Sequence, residues 1–140
     1  MNDEYQLQRF LTAQNRVYAE ALAMLRGGMM CTQYMDFIFP RLADPGASPG
    51  RYAISSLDEA RAYLAFPVLG DRYRKCIGAM RWFGDVAATA VFGDGSAKKL
   101  HSSLTLFTEA TNEVLFRTML AVWFDNMVDE ETIIRLDLVS

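Results

Sequence analysis

Apolar residues recur along most of this chain at intervals of three and four, the spacing of one helical face. Leu7, Phe10, Leu11, Gln14, Val17, Tyr18, Ala21, Leu22 and Leu25 form the first such series. Asp3 and Gln6 resemble a capping box ahead of it, and Asn15 is a candidate start for a second helix after a bend. Gly27-Gly28 ends the segment, because glycine adopts the left-handed conformation at low cost. A short helix over residues 32–39 is stopped by Pro40, and "ADPGASPG" marks a loop over residues 43–51.

Beyond that loop, "SLDE" offers a capping box from Ser56 to Glu59 and opens a helix to about Ala65. Pro67 suits the first turn of the next helix, which runs through Val68, Tyr73, Cys76, Ile77, Met80 and Phe83. Gly70 and Gly78 inside it weaken helix propensity. Asp85, Ser96, Thr111 and Asp129 are candidate caps for helices over 86–92, 97–109, 112–124 and 130–136. Two-residue alternation and hairpin turns are nearly absent. The expectation is an all-α, single compact multihelical domain spanning residues 1–140.

Composition narrows the chemistry. Half of the 140 residues are hydrophobic, enough for a core without disulfides, and the net charge of −3 disfavours nucleic acid and anionic membranes as partners. Cys31 and Cys76 lie outside any CxxC, and His101 is the one histidine, so no metal site or cofactor is expected. Two lone thiols suit a reducing cytoplasm. "MNDEYQLQRF" has acids where a signal peptide needs bases, and no run is long and apolar enough to span a membrane. The expected location is cytoplasmic.

Three stretches invite a function. In "FGDGSAKKLHSS", Gly93, Gly95, Ser96 and Lys98 form a candidate anion-binding loop before a helix start; the competing reading is a turn with an N-cap. His101, Ser102 and Ser103 suggest a nucleophile, but helix neighbours point in different directions and no orienting group is evident, which favours a structural or surface histidine. "DRYRKCIGAMRW" puts Arg74 and Arg81 on one face among aromatics, read as a solvated helix face rather than a strand-binding surface. In "MMCTQYMDFIFPRL", Gln33 and Asp36 share a side of a short helix whose other residues are apolar. A mostly buried Asp36 would need a partner, with Arg41 or Lys99 expected in that role; the alternative is a solvent-facing edge.

"LQRFLTAQ", "FIFPRL", "RYAISSLDEARAYLAFPVLGDRYRKC", "VFG" and "KKLHSSLTLF", in that order, resemble the bacterial domain-of-unknown-function family eighteen-ten. The likeness runs from about Leu7 to Leu136 and implies a multihelical domain with two buried central helices, with no activity attached. Some members carry the label calpastatin, but such an inhibitor is a polar chain disordered until bound, unlike this core-rich sequence. The family pattern near GxKxxHWMWFIFPQL departs here at Met30, Gln33, Tyr34, Asp36 and Arg41, and Phe66 replaces a usual histidine. Ser96 stands near an expected aspartate, while Lys99, Ser102, Ser103, Thr105 and Phe107 are kept. This is a divergent member by that comparison.

Two functional expectations follow. One is a non-enzymatic binding or interaction module, with homodimerisation compatible and partners unassigned. The other is a small-molecule binding protein or enzyme with a polar pocket for an anionic or nucleotide-like ligand. Its candidate ligand-binding residues are Gln33, Asp36, Arg41, Lys99, His101, Ser102 and Ser103. A pocket holding them together favours the second; a broad apolar patch favours the first.

Overall fold

Proline, glycine and capping side chains cut this chain into short helices, and one long helix organises the rest. The computed structural model describes residues 3–44, 50–80 and 93–139. Along the chain these are α1 (Gln8–Gln14), α2 (Tyr18–Arg26), a 3-10 turn (Thr32–Tyr34), α3 (Met35–Ile38), α4 (Leu57–Ala65), α5 (Leu69–Ala79), α6 (Asp94–Thr111), α7 (Val114–Phe124) and α8 (Glu130–Val139). Among the described residues no β-strand forms, only an isolated parallel bridge between Leu42 and Ile54. The expected helix over 86–92 capped by Asp85, and Arg81, lie outside the described residues.

The central element is α6. All residues from Ser103 to Thr108 are buried, so the helix is enclosed on every side at that level. It packs against α4, α7 and α8, while α5 packs against α2, α4 and α7. Polar groups inside α6 are satisfied. The Ser103 hydroxyl meets the Tyr73 hydroxyl at 2.9 Å, the Thr108 hydroxyl donates to the Leu104 carbonyl, and Thr105 Oγ1 accepts the Asp129 N–H at 3.0 Å. Such pairing is what allows hydroxyls to sit in an apolar core. Tyr73 of α5 is the hub of the aromatic packing: Phe107 lies 4.4 Å from its ring, Phe116 5.4 Å and Phe39 6.0 Å. Burial raises the Tyr63 and Tyr73 phenols well above their ordinary range, so both stay neutral.

Several caps differ from the sequence expectation. Asp3 accepts the N–H groups of Leu7 and Gln8, from a turn ahead of α1, and Gln6 itself takes a left-handed φ of 56°. Asn15 closes α1 instead of opening α2. Ser96 lies inside α6, which begins at Asp94 after Gly93 with φ 83°. Thr111 is also helical; α6 ends on left-handed Asn112 and Glu113 precedes α7. The Ser56 hydroxyl does accept the Glu59 N–H at 3.1 Å. The Glu59 carboxylate, however, takes the Ser55 N–H and hydroxyl rather than returning to Ser56. Arg74 is not a freely solvated base: it forms a two-pronged pair with Glu113 at 2.9 Å on both prongs, joining α5 to the start of α7.

Asp36 also differs from expectation. Its side chain is 63% exposed, on the side of α3 opposite buried Met35 and Ile38. A four-residue helix buries only one edge, so apolar neighbours in sequence do not enclose the carboxylate. Its partner is Arg41, at 3.4 Å and itself 40% exposed. A pair this open contributes roughly 0–1 kcal/mol. Asp36→Ala and Asp36→Asn should each unfold in urea within about 0.5 kcal/mol of the parent; a loss above about 2 kcal/mol would restore the buried reading.

Candidate functional site

A groove of about 720 Å³ opens between the segment after α3, the segment before α4, and helices α6 and α8. Its first wall is held by backbone pairing. The Ala43 N–H donates to the Ile54 carbonyl at 2.8 Å and the Ile54 N–H to the Arg41 carbonyl at 2.9 Å, which fixes Arg41 beside Tyr52 and Ala53. Arg9 braces the same wall from behind: its guanidinium donates to the carbonyls of Arg51 and Ala53, both at 2.9 Å, and to buried Glu59, also at 2.9 Å. This wall is therefore positioned by a buried ion pair that does not itself line the groove.

The second wall is one face of α6. Lys98, Lys99 and Ser102 line the groove three, four and seven residues after Gly95, which lines it too. The third is α8, whose Glu131 and Arg135 are four residues apart and paired at 3.2 Å. Arg135 also reaches Asp44 at 3.4 Å. Among the described residues, five cationic and three carboxylate side chains line the groove. The groove is thus locally positive on a chain of net charge −3.

Of the expected ligand-binding residues, Asp36, Arg41, Lys99 and Ser102 come together here, and of the expected anion loop Gly95 and Lys98 join them. Gln33, Ser103, His101, Gly93 and Ser96 do not line it. Gln33 is exposed on the 3-10 turn, and Ser103 is a core residue bonded to Tyr73. His101 stacks on Phe124 at 4.1 Å and 10° between planes, with Nε2 2.6 Å from the Met127 carbonyl. Ser96 lies 3.4 Å from the Thr32 hydroxyl. Arg51, Tyr52, Asp44, Glu131 and Arg135 are not candidate site residues by sequence, although Arg51 and Tyr52 open the "RYAISSLDE" block; only the fold assembles the five.

The Ser102 hydroxyl donates to Asp129 Oδ2 at 2.9 Å, and Thr132 donates to the same oxygen at 2.6 Å. Burial pushes the Asp129 carboxyl up, but the Thr132 and Ser102 bonds, the neighbouring His101 and the Thr132 N–H more than offset this and hold it below the usual carboxylate range. A carboxylate shifted in this direction is a weaker base toward Ser102, not a stronger one. Asp129 instead caps α8, as its position before Glu130 predicts.

The model for "Protein of unknown function (DUF1810)" matches residues 4–136, nearly the whole chain. The chain belongs to this family. No curated protein matches it. DUF1810 membership agrees with the resemblance seen in the ordered sequence blocks. The chain is also similar to a solved structure, the conserved hypothetical protein Rv1873 from Mycobacterium tuberculosis, at 38% identity and a TM-score of 0.89. That match covers 96% of this chain and 99% of the other. For this DUF1810 member the all-α single domain with buried central helices is therefore shared with a relative. Among the described residues no helix is long and apolar enough to cross a membrane.

Proposed function

We propose that this chain is a non-enzymatic binding module whose groove takes an anionic small molecule. One observation carries the reading: Lys98 and Lys99 project from one face of α6 into the groove, and among the described residues neither has a carboxylate partner. Two neighbouring ammonium groups repel each other, and an anion between them removes that cost. Arg41 stands on the facing segment with a pair loose enough to exchange its carboxylate for a ligand. The groove volume lies in the range of small-molecule sites. Two free, buried thiols, Cys31 and Cys76, suit a reducing bacterial cytoplasm as the setting. Burial pushes both up to about 12, which makes them packing residues rather than nucleophiles.

Thermal unfolding with sodium pyrophosphate at low ionic strength tests the reading. Ligand at about 100 times its dissociation constant stabilises by about 2.7 kcal/mol, a rise of several degrees for a chain of this size. The rise should shrink at about 0.5 M salt and vanish in a Lys98→Glu/Lys99→Glu double variant. An equal rise in that variant, or none at millimolar pyrophosphate in the parent, overturns the proposal.

A further inference from the structure

We infer that the ligand of this groove is a nucleoside phosphate, its base seated at Tyr52 and its phosphates at Lys98 and Lys99. The inference rests on the anion-binding reading above and deepens it. Three observations support it. The first is the mixed charge of the lining. Asp36, Asp44 and Glu131 line the same groove as the cations. Each is paired with a groove arginine, Asp36 with Arg41 and both Asp44 and Glu131 with Arg135, so the lining offers acceptors beside donors rather than cations alone. The carboxylates are acceptors suited to a molecule that carries hydroxyl or amino donors as well as negative charge. Ribose hydroxyls and the exocyclic amine of a base are donors of that kind.

The second observation is the aromatic surface. Tyr52 is half-buried and lines the groove. Its ring is fixed by an edge-on contact with Phe37 at 5.2 Å and a tilted contact with Phe10 at 5.8 Å. The backbone on either side of it is held by Arg9 through the Arg51 and Ala53 carbonyls. A ring fixed this way loses little entropy when a flat ligand docks on it. The Arg51 guanidinium, 5.7 Å from the Tyr52 ring centroid, is a second planar group at the same place. Base stacking on aromatic and guanidinium planes is tolerant of base identity. The third observation is size: about 720 Å³ greatly exceeds what a phosphate or pyrophosphate fills and accommodates a nucleotide.

Isothermal titration of the full chain with ADP, ribose 5-phosphate and pyrophosphate tests this. ADP should bind at least ~10-fold more tightly than either of the others, the size of effect one stacked base supplies. Tyr52→Leu should erase that advantage while leaving pyrophosphate affinity within about twofold, and Tyr52→Phe should retain it because the ring, not the hydroxyl, does the stacking. Arg51→Ala removes the guanidinium over the Tyr52 ring and provides a second readout: it should reduce the ADP advantage. Pyrophosphate binding as tightly as ADP overturns the nucleoside inference and leaves the anion site standing. Equal affinity for ADP and ribose 5-phosphate overturns the base subsite alone in favour of a sugar phosphate. If none of the three binds, the anion-binding reading fails with it.

Discussion

Glu59→Ala should destabilise the protein by about 3 kcal/mol, a drop in melting temperature of roughly 10 °C for a chain of this length. The Glu59 side chain is only 4% exposed and accepts three bonds: from Arg9 Nη2 at 2.9 Å, the Ser55 N–H at 3.0 Å and the Ser55 hydroxyl at 2.7 Å. Truncation removes both carboxylate oxygens, and with them all three bonds, at once. Arg9 keeps the carbonyls of Tyr5, Gln6, Arg51 and Ala53, which places the expected loss at the low end of the range for breaking a buried pair. Glu59→Gln retains an oxygen for Ser55 and should cost about 1–2 kcal/mol. Because Arg9 braces the groove wall, Glu59→Ala should also weaken pyrophosphate binding although Glu59 does not line the groove. The Arg9→Met/Glu59→Leu double variant should lose much less than the sum of the single changes, since no charge is then stranded. Urea unfolding of the set decides: a Glu59→Ala loss under about 1 kcal/mol would mean the pair is not a brace.

The helices were legible because their rules are local. The three-and-four spacing of Leu7 to Leu25, the stop at Pro40 and the Ser56 cap all act within one turn of chain. Misreadings came where two local signals compete. Ser96 and Thr111 are good capping residues, yet Gly93 and Asn112 set the ends of α6 because each takes a left-handed φ. The expectation for Asp36 failed because burial is a property of what packs from elsewhere: α3 turns Met35, Ile38 and part of Phe37 to the core and leaves Asp36 outside. The site was half legible. Lys98, Lys99 and Ser102 share one α6 face by spacing alone. Arg51, Tyr52, Glu131 and Arg135 are ordinary surface residues in sequence, and their convergence depends on the Leu42–Ile54 bridge and on α8 packing against α6. Nothing within a window of ten residues encodes either contact.

Gly70 shows the same limit in one residue, and its substitution should be among the most damaging in the chain. By propensity, Gly70→Ala inside α5 would gain about 0.5–1 kcal/mol. The structure reverses the sign. A Cβ on Gly70 would stand 2.0 Å from the Leu64 carbonyl oxygen and 2.8 Å from Arg74 Nη1. Arg74 is a flexible side chain and can yield, but Leu64 is backbone in the last turn of α4, and its carbonyl has no room to retreat without opening the corner between α4 and α5. That corner positions Tyr63 and Tyr73, whose rings lie 6.4 Å apart in the aromatic core. The α4–α5 approach therefore requires a residue without a side chain, and the expected loss for Gly70→Ala is about 3 kcal/mol or more. Gly78, in the same helix, is the control: among the described residues nothing lies within 4 Å of a Cβ built there. Gly78→Ala should be neutral or stabilising by up to about 0.5 kcal/mol, the gain being reduced near a helix end. Two identical substitutions eight residues apart thus carry opposite signs, and urea unfolding of both reads the difference directly. If Gly70→Ala unfolds at or above the parent's midpoint, the close contact at Leu64 is not a constraint and propensity governs α5 throughout.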